Sequence, residues 1–157
     1  MNSLNKETIK KLAMKTNTEV WNYFGKEHIT QEEISLMLEN AYTSLNLWAH
    51  VGGDINLARG HWMLARAFCV ANNKEQAELH ANKCKDYTDS AIDSRRDFDV
   101  FYSLEGLARA CALNEDRESA KVYYSDALRL AESITDKETR DLCLDDIKSA
   151  PWFGMDF

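Results

Sequence analysis

The sequence predicts an all-α fold built from antiparallel helix hairpins, and three observations carry that expectation. One proline and six glycines among 157 residues, with 45% hydrophobic residues, are the composition of long regular elements and not of linkers or disorder. Apolar residues recur at steps of three and four, and no segment alternates with a period of two between turn signals. The tetrapeptide Leu-Ala-Arg-Ala occurs twice, at Leu64 and again 43 residues later at Leu107, so the helices form a repeat.

Seven helices follow in order. Leu4, Ile9, Leu12, Ala13, Thr16, Val20, Trp21 and Phe24 mark one face of a first helix over about residues 5–24, closed by Gly25. Thr30-Gln31-Glu32-Glu33 is a capping box, in which the threonine hydroxyl accepts a first-turn amide while Glu33 reaches back. Behind it Ile34, Met37, Leu38, Ala41, Leu45 and Trp48 form the stripe of a second helix, stopped by Gly52-Gly53. Asp54 is the expected N-cap of a third, which runs through Trp62, Leu64 and Phe68 to Asn72. A fourth carries Ala77, Ala81, Cys84 and Ala91. The fifth and sixth cover 97–113 and 117–134, and Asp136 caps a seventh that ends before Pro151, since the residue ahead of a proline disfavours helix.

At the same offset Lys74 matches Arg117, Glu75 matches Glu118 and Ala77 matches Ala120. Alanines at Ala65 and Ala77, and at Ala108 and Ala120, let two antiparallel helices approach closely while Leu64, Phe68 and Leu107 fill the seam. One hairpin cannot bury both of its apolar faces, so neighbours must stack. The chain divides into a leading hairpin (1–53), two repeats (54–92 and 96–134) and a capping helix with an aromatic tail (136–157), all within one domain over 1–157. Leu142, Cys143 and Ile147 are expected to cover the trailing face.

The set Leu64-Ala65, Phe68, Ala77, Ala81 and Cys84, with Leu107-Ala108, Cys111, Ala120, Tyr124 and Ala127, resembles the tetratricopeptide repeat over residues 55–134. The 43-residue offset exceeds the usual 34 of that repeat, and no proline closes either unit. The run Asn56, Arg59, Gly60, Trp62 and Arg66, with Ser44 and Trp48, is similar to a group of uncharacterised bacterial proteins of this layout, from which His61 departs. The resemblance implies a short right-handed superhelix whose first helix in each hairpin lines a concave surface.

Helical spacing puts Arg59, Trp62 and Arg66 on one stripe of the third helix, and the repeat offset puts Tyr102, Glu105 and Arg109 on the matching stripe of the fifth. Two readings of these six residues stand side by side. Arginines beside aromatic rings suit a peptide segment or a small anionic ligand. Alternatively, Arg66 or Arg109 pairs with Glu105, Asp97 or Asp99 and ties hairpins together. On the first reading the chain is a non-catalytic binding module. A second function places an enzyme in the same groove, with Glu105 or Asp99 as general base and an arginine stabilising negative charge. A third is a structural protein that dimerises through its outer helices or its tail.

Composition and motifs narrow the field. A formal charge of −7 and a pI near 5.1 disfavour nucleic acid and anionic membranes. No run of apolar residues reaches membrane-spanning or signal-peptide length, so the expected location is the cytoplasm. Phosphate-loop, dinucleotide and calcium-loop patterns are missing, so no cofactor is expected. His28, His50, His61 and His80 form no zinc motif, and His61 reads as a hydrogen-bonded buried histidine. Cys69, Cys84, Cys111 and Cys143 contain no C-x-x-C pair and read as small buried hydrophobes. The acidic group Asp136, Glu138, Asp141, Asp145 and Asp146 reads as a solvated helix face. The tail Trp152-Phe153-Gly154-Met155-Asp156-Phe157 is expected to dock, on its own chain or on a partner subunit.

Overall fold

The computed structural model describes residues 5–157; Leu4, placed on the first apolar face by the sequence pattern, lies outside them. Seven α-helices follow one another: α1 (Lys6–Trp21), α2 (Gln31–Val51), α3 (Asp54–Val70), α4 (Lys74–Ser90), α5 (Asp97–Leu113), α6 (Arg117–Ser133) and α7 (Lys137–Lys148). No strand occurs among the described residues.

The 43-residue spacing reaches the second helix of the leading hairpin. Helices α2, α4 and α6 begin at Gln31, Lys74 and Arg117, each 43 residues after the one before. Their caps are equivalent: Thr30, Asn73 and Asp116 each accept the amide three residues on, and Thr30 completes its capping box with Glu33. Helices α3 and α5 begin alike, since Asn56 and Asp99 each accept the backbone N–H of the residue just ahead of their helix, Gly53 and Arg96. Gly53 is therefore the N-cap of α3. Asp54, expected in that role, is instead the first helical residue, where its charge favours the helix dipole.

The two hairpin turns are also superposable in kind. Asn72 (φ 55°) and Glu115 (φ 66°) are left-handed, and the amides of Asn73 and Asp116 reach back to the carbonyls of Phe68 and Cys111 at 2.9 Å. That is a Schellman closure followed at once by a new N-cap, and it stops α3 at Val70, before the expected Asn72.

Consecutive helices pack against one another. In addition α1 touches α3, α3 touches α5 and α5 touches α7, whereas α2, α4 and α6 do not touch each other. The odd-numbered helices thus lie closer together than the even-numbered ones. Ala65, Ala77, Ala108 and Ala120 are buried at the α3–α4 and α5–α6 seams, as the repeat predicts. A large apolar cluster joins Val20, Met37, Leu64, Ala81 and Leu107 across the first five helices. A second packs Phe101 and Ala131 against Cys143 and Ile147 of α7.

Two surface assignments change. Leu12 and Trp21 of α1 remain about 40% exposed, whereas Ala13 and Val20 are fully buried. Leu142 is 57% exposed while Cys143 and Ile147 are fully buried, so α7 covers the trailing face with one edge and turns Leu142 away.

Candidate functional site

The six residues singled out by the repeat divide into two groups. Arg66, Glu105 and Arg109 form a buried ionic network. Glu105 has no exposed surface and Arg109 only 1%. Glu105 Oε1 accepts from Arg66 Nη1 at 3.0 Å and from Arg109 Nε, and Oε2 accepts from Trp62 Nε1 at 2.7 Å. The equivalence of the repeats creates this contact, because Trp62 and Glu105 are 43 residues apart and occupy matching places on adjacent helices. Gly106 leaves room for the indole: a Cβ there would come within 3.3 Å of Trp62 Cδ1.

The remaining guanidinium donors reach the C-terminal segment. Arg66 Nη2 donates to Ser149 Oγ at 3.0 Å, and Arg109 donates to the carbonyls of Asp146 and Pro151 at 2.9 Å each. Trp152 lies against the Arg109 guanidinium, its ring centre 4.1 Å from Cζ. Burial by itself would raise the Glu105 carboxyl, but Arg109 and Arg66 hold it below the ordinary carboxylate value. Burial pulls Arg66 down against the attraction of Glu105; a guanidinium starts so far above neutrality that it keeps its proton. The structural pairing of Arg66 and Arg109 with Glu105 is what the structure displays, and none of the three lines an open surface.

Arg59, Trp62 and Tyr102 line a cleft of about 670 Å³, a size usual for ligand sites. Most of its walls come from the odd-numbered helices, Met14 and Trp21 of α1, Arg59 and Trp62 of α3, Phe98 and Tyr102 of α5, and Leu142 and Asp146 of α7, with Trp48 of α2 and Cys84 and Thr88 of α4 also lining it. The spacing Met14, Asn17, Thr18, Trp21 sets one face of α1 along this cleft. Trp62 packs edge-on to Tyr102 at 4.8 Å and lies 5.6 Å from Trp21. Arg59 is held by Asp99 through two hydrogen bonds, Nε to Oδ1 at 2.8 Å and Nη2 to Oδ2 at 3.1 Å. The Tyr102 hydroxyl donates to Asp146 Oδ2 at 2.5 Å; burial, and then this carboxylate, push the phenol well above its ordinary value, so it stays a donor.

Met14, Trp21, Leu142 and Asp146 were not among the sequence candidates for a site. The pattern that could have revealed the first two was an apolar edge on α1 beside the one that packs; for Leu142 and Asp146 no local signal exists, since their role depends on where α7 lands.

The third polar feature is a histidine pair between α3 and α4. His61 Nδ1 meets His80 Nδ1 at 2.8 Å, and His80 Nε2 meets the Tyr42 hydroxyl at 3.3 Å. One ring donates through Nδ1 and the other accepts; protonating both rings would set two N–H groups head to head. Burial depresses both imidazoles to about 4, with His80 and Lys83 adding to the effect on His61 and Lys83 to that on His80. Between about 4 and the ordinary 6.5, the unfolded chain binds more protons than the folded one, so stability rises with pH there. Urea titrations are expected to show it complete above pH 6.5 and falling progressively toward pH 4. A His61→Phe, His80→Leu double variant should flatten that slope; an unchanged slope would place its origin elsewhere.

The cysteines are free, and burial raises Cys69, Cys84 and Cys143 to about 12 and Cys111 to about 11, values that leave no reactive thiolate at neutral pH. No group of three His, Cys, Asp or Glu side chains suited to a metal ion exists among the described residues, and no helix among them is long and apolar enough to cross a membrane. Within the acidic group, Asp136 caps α7 by accepting the Thr139 amide at 2.8 Å, and Asp141 pairs with Lys137. The chain matches no protein-family model, no curated protein and no solved structure.

Proposed function

We propose that the chain is a non-catalytic, tetratricopeptide-like binding module that holds a peptide segment in the cleft between α1 and α7. The observation that carries this reading is the cleft's wall chemistry. Met14, Trp21 and Leu142 stand 60%, 42% and 57% exposed along its edges, and aromatic rings lie at its base. Large apolar side chains grouped around one concavity mark a site of association. The equivalent starts and turns of successive hairpins support a regular superhelix with this cleft on its inner side.

Support for the two other readings is thinner. An anionic ligand needs free cations, yet Arg66 and Arg109 are held by Glu105 and Arg59 by Asp99. An enzyme needs an accessible base, and Glu105 is sealed from solvent while Asp99 is 4% exposed and engaged by Arg59.

The test is selection from a random linear peptide library displayed on phage, followed by competition with a Met14→Ser, Trp21→Ala, Leu142→Ser variant. These side chains are exposed, so the variant should keep its fold by circular dichroism and lose at least about tenfold in affinity for the selected peptides, as when apolar anchors leave an interface. Failure of the library to enrich any sequence, or equal binding by the variant, rejects the cleft as the site.

A further inference from the structure

The cleft's charges are unevenly engaged. Arg59 is its one cationic lining residue, and both of its bonded nitrogens are on Asp99. Asp146 is the other anionic lining residue. Its Oδ2 accepts from Tyr102, its backbone carbonyl accepts from Arg109 and Ser149, and its Oδ1 takes no hydrogen bond among the described residues. Behind the wall, two arginines face one glutamate, and Asp146 supplies the countercharge that makes the group neutral. Asp146 Oδ1 is therefore the carboxylate oxygen of the cleft that no described side chain engages, since both oxygens of Asp99 are taken by Arg59.

The cleft also holds electron-rich rings, of which Phe98 already has the Arg59 guanidinium 5.1 Å from its centre. Trp21, Trp62, Phe98 and Tyr102 all line the same cleft as Asp146. A carboxylate acceptor beside aromatic rings is matched by an organic cation, which donates a charge-assisted hydrogen bond to the carboxylate and lies against the negative faces of the rings. The formal charge of the whole chain, −7, adds a long-range attraction of the same sign.

We infer that the peptide recognised in this cleft is basic, and that a lysine or arginine side chain flanked by apolar residues seats against Asp146 and Tyr102 with its methylene stem between Trp21 and Leu142. This rests on the reading of the cleft as a peptide site and names its ligand class. A lysine or arginine fits because its stem is apolar and its head cationic, matching an apolar rim above a single carboxylate.

The same library selection tests it. Enriched sequences are expected to carry a basic residue beside leucine, isoleucine or an aromatic residue. Replacing that residue by norleucine in a synthetic peptide should lower affinity on the order of tenfold or more, with weakening at high salt. Asp146→Asn keeps the shape and an acceptor for Tyr102; it should bind the norleucine peptide as the parent does and lose the preference for the basic one. Should Asp146→Asn lower the melting temperature, Trp21→Leu offers a second variant, at an exposed ring, expected to weaken the basic peptide more than the norleucine peptide. Enrichment of acidic or purely apolar sequences, or an Asp146→Asn variant with undiminished preference, overturns the inference and leaves the cleft a peptide site. An empty selection overturns both.

Discussion

Glu105→Gln is expected to destabilise the protein by about 3–5 kcal/mol, the usual consequence of removing one partner from a buried ion pair. The glutamine still accepts from Trp62, so shape and one hydrogen bond survive. What is lost is the charge between two guanidinium groups that are 6% and 1% exposed; Arg66 already has one unpartnered donor, Nε. The measurement is the urea midpoint with the denaturant slope unchanged. Adding Arg66→Met should restore part of the loss, because it removes the surplus charge and leaves an apolar stem beside Phe24 and Trp62. A single-variant loss under about 1 kcal/mol would mean that water or relaxation solvates the arginines and that the network holds nothing together. Sign follows from the depressed carboxyl: the stabilisation from Glu105 is complete above its unfolded value, ordinarily 4.5, and is lost as pH falls through the lower folded value.

Deletion of Ala150–Phe157 is expected to cost a similar amount, about 3–5 kcal/mol, or a fall of roughly 6–20 °C in melting temperature for a chain of this size. The tail docks on its own chain. Met155 is 8% exposed against Ala112 and Ala120, Trp152 Nε1 donates to the Ile147 carbonyl at 2.9 Å, and Phe157 stacks on Tyr124 at 3.8 Å between ring centres. Deletion also withdraws the Pro151 carbonyl and the Trp152 ring from Arg109, so its cost couples to that of Glu105→Gln. The two changes together should be less than additive. Light scattering should show the truncated form associating through the uncovered α5–α6 surface, and a melting temperature within a few degrees of the parent would show the tail to be decoration.

The two effects share a cause. Residues 146–151 accept hydrogen bonds from two arginines on α3 and α5, and Asp146 at the start of that stretch lines the cleft. Stability and recognition therefore meet in one segment, while Leu142, 57% exposed, stands apart from it on the outer edge of α7.

Much of the architecture was legible along the chain. Helix α5 runs over 97–113 as its periodicity predicts, and Thr30, Asn73, Asp116 and Asp136 cap where local hydrogen bonding favours short polar side chains. The 43-residue offset placed Arg66 and Arg109 in like positions, and it proved to hold for the start of α2 as well. These features are local, or repeat a local pattern, so a one-dimensional reading reaches them. Which charges are buried does not have that property. Arg59 and Arg66 lie on one predicted stripe of α3 and Arg109 on the matching stripe of α5, yet Arg59 has a 45% exposed side chain and the others almost none. The difference arises because α7 and the tail close over the latter two, across 37 to 83 residues of chain. The amino-acid sequence determined by itself the helices, their caps and the spacing of the hairpins. Only the tertiary structure decided that the tail seals the arginines, that α1 and α7 frame the open cleft, and that Asp146 stands in it, because each depends on contacts between segments with no shared local pattern.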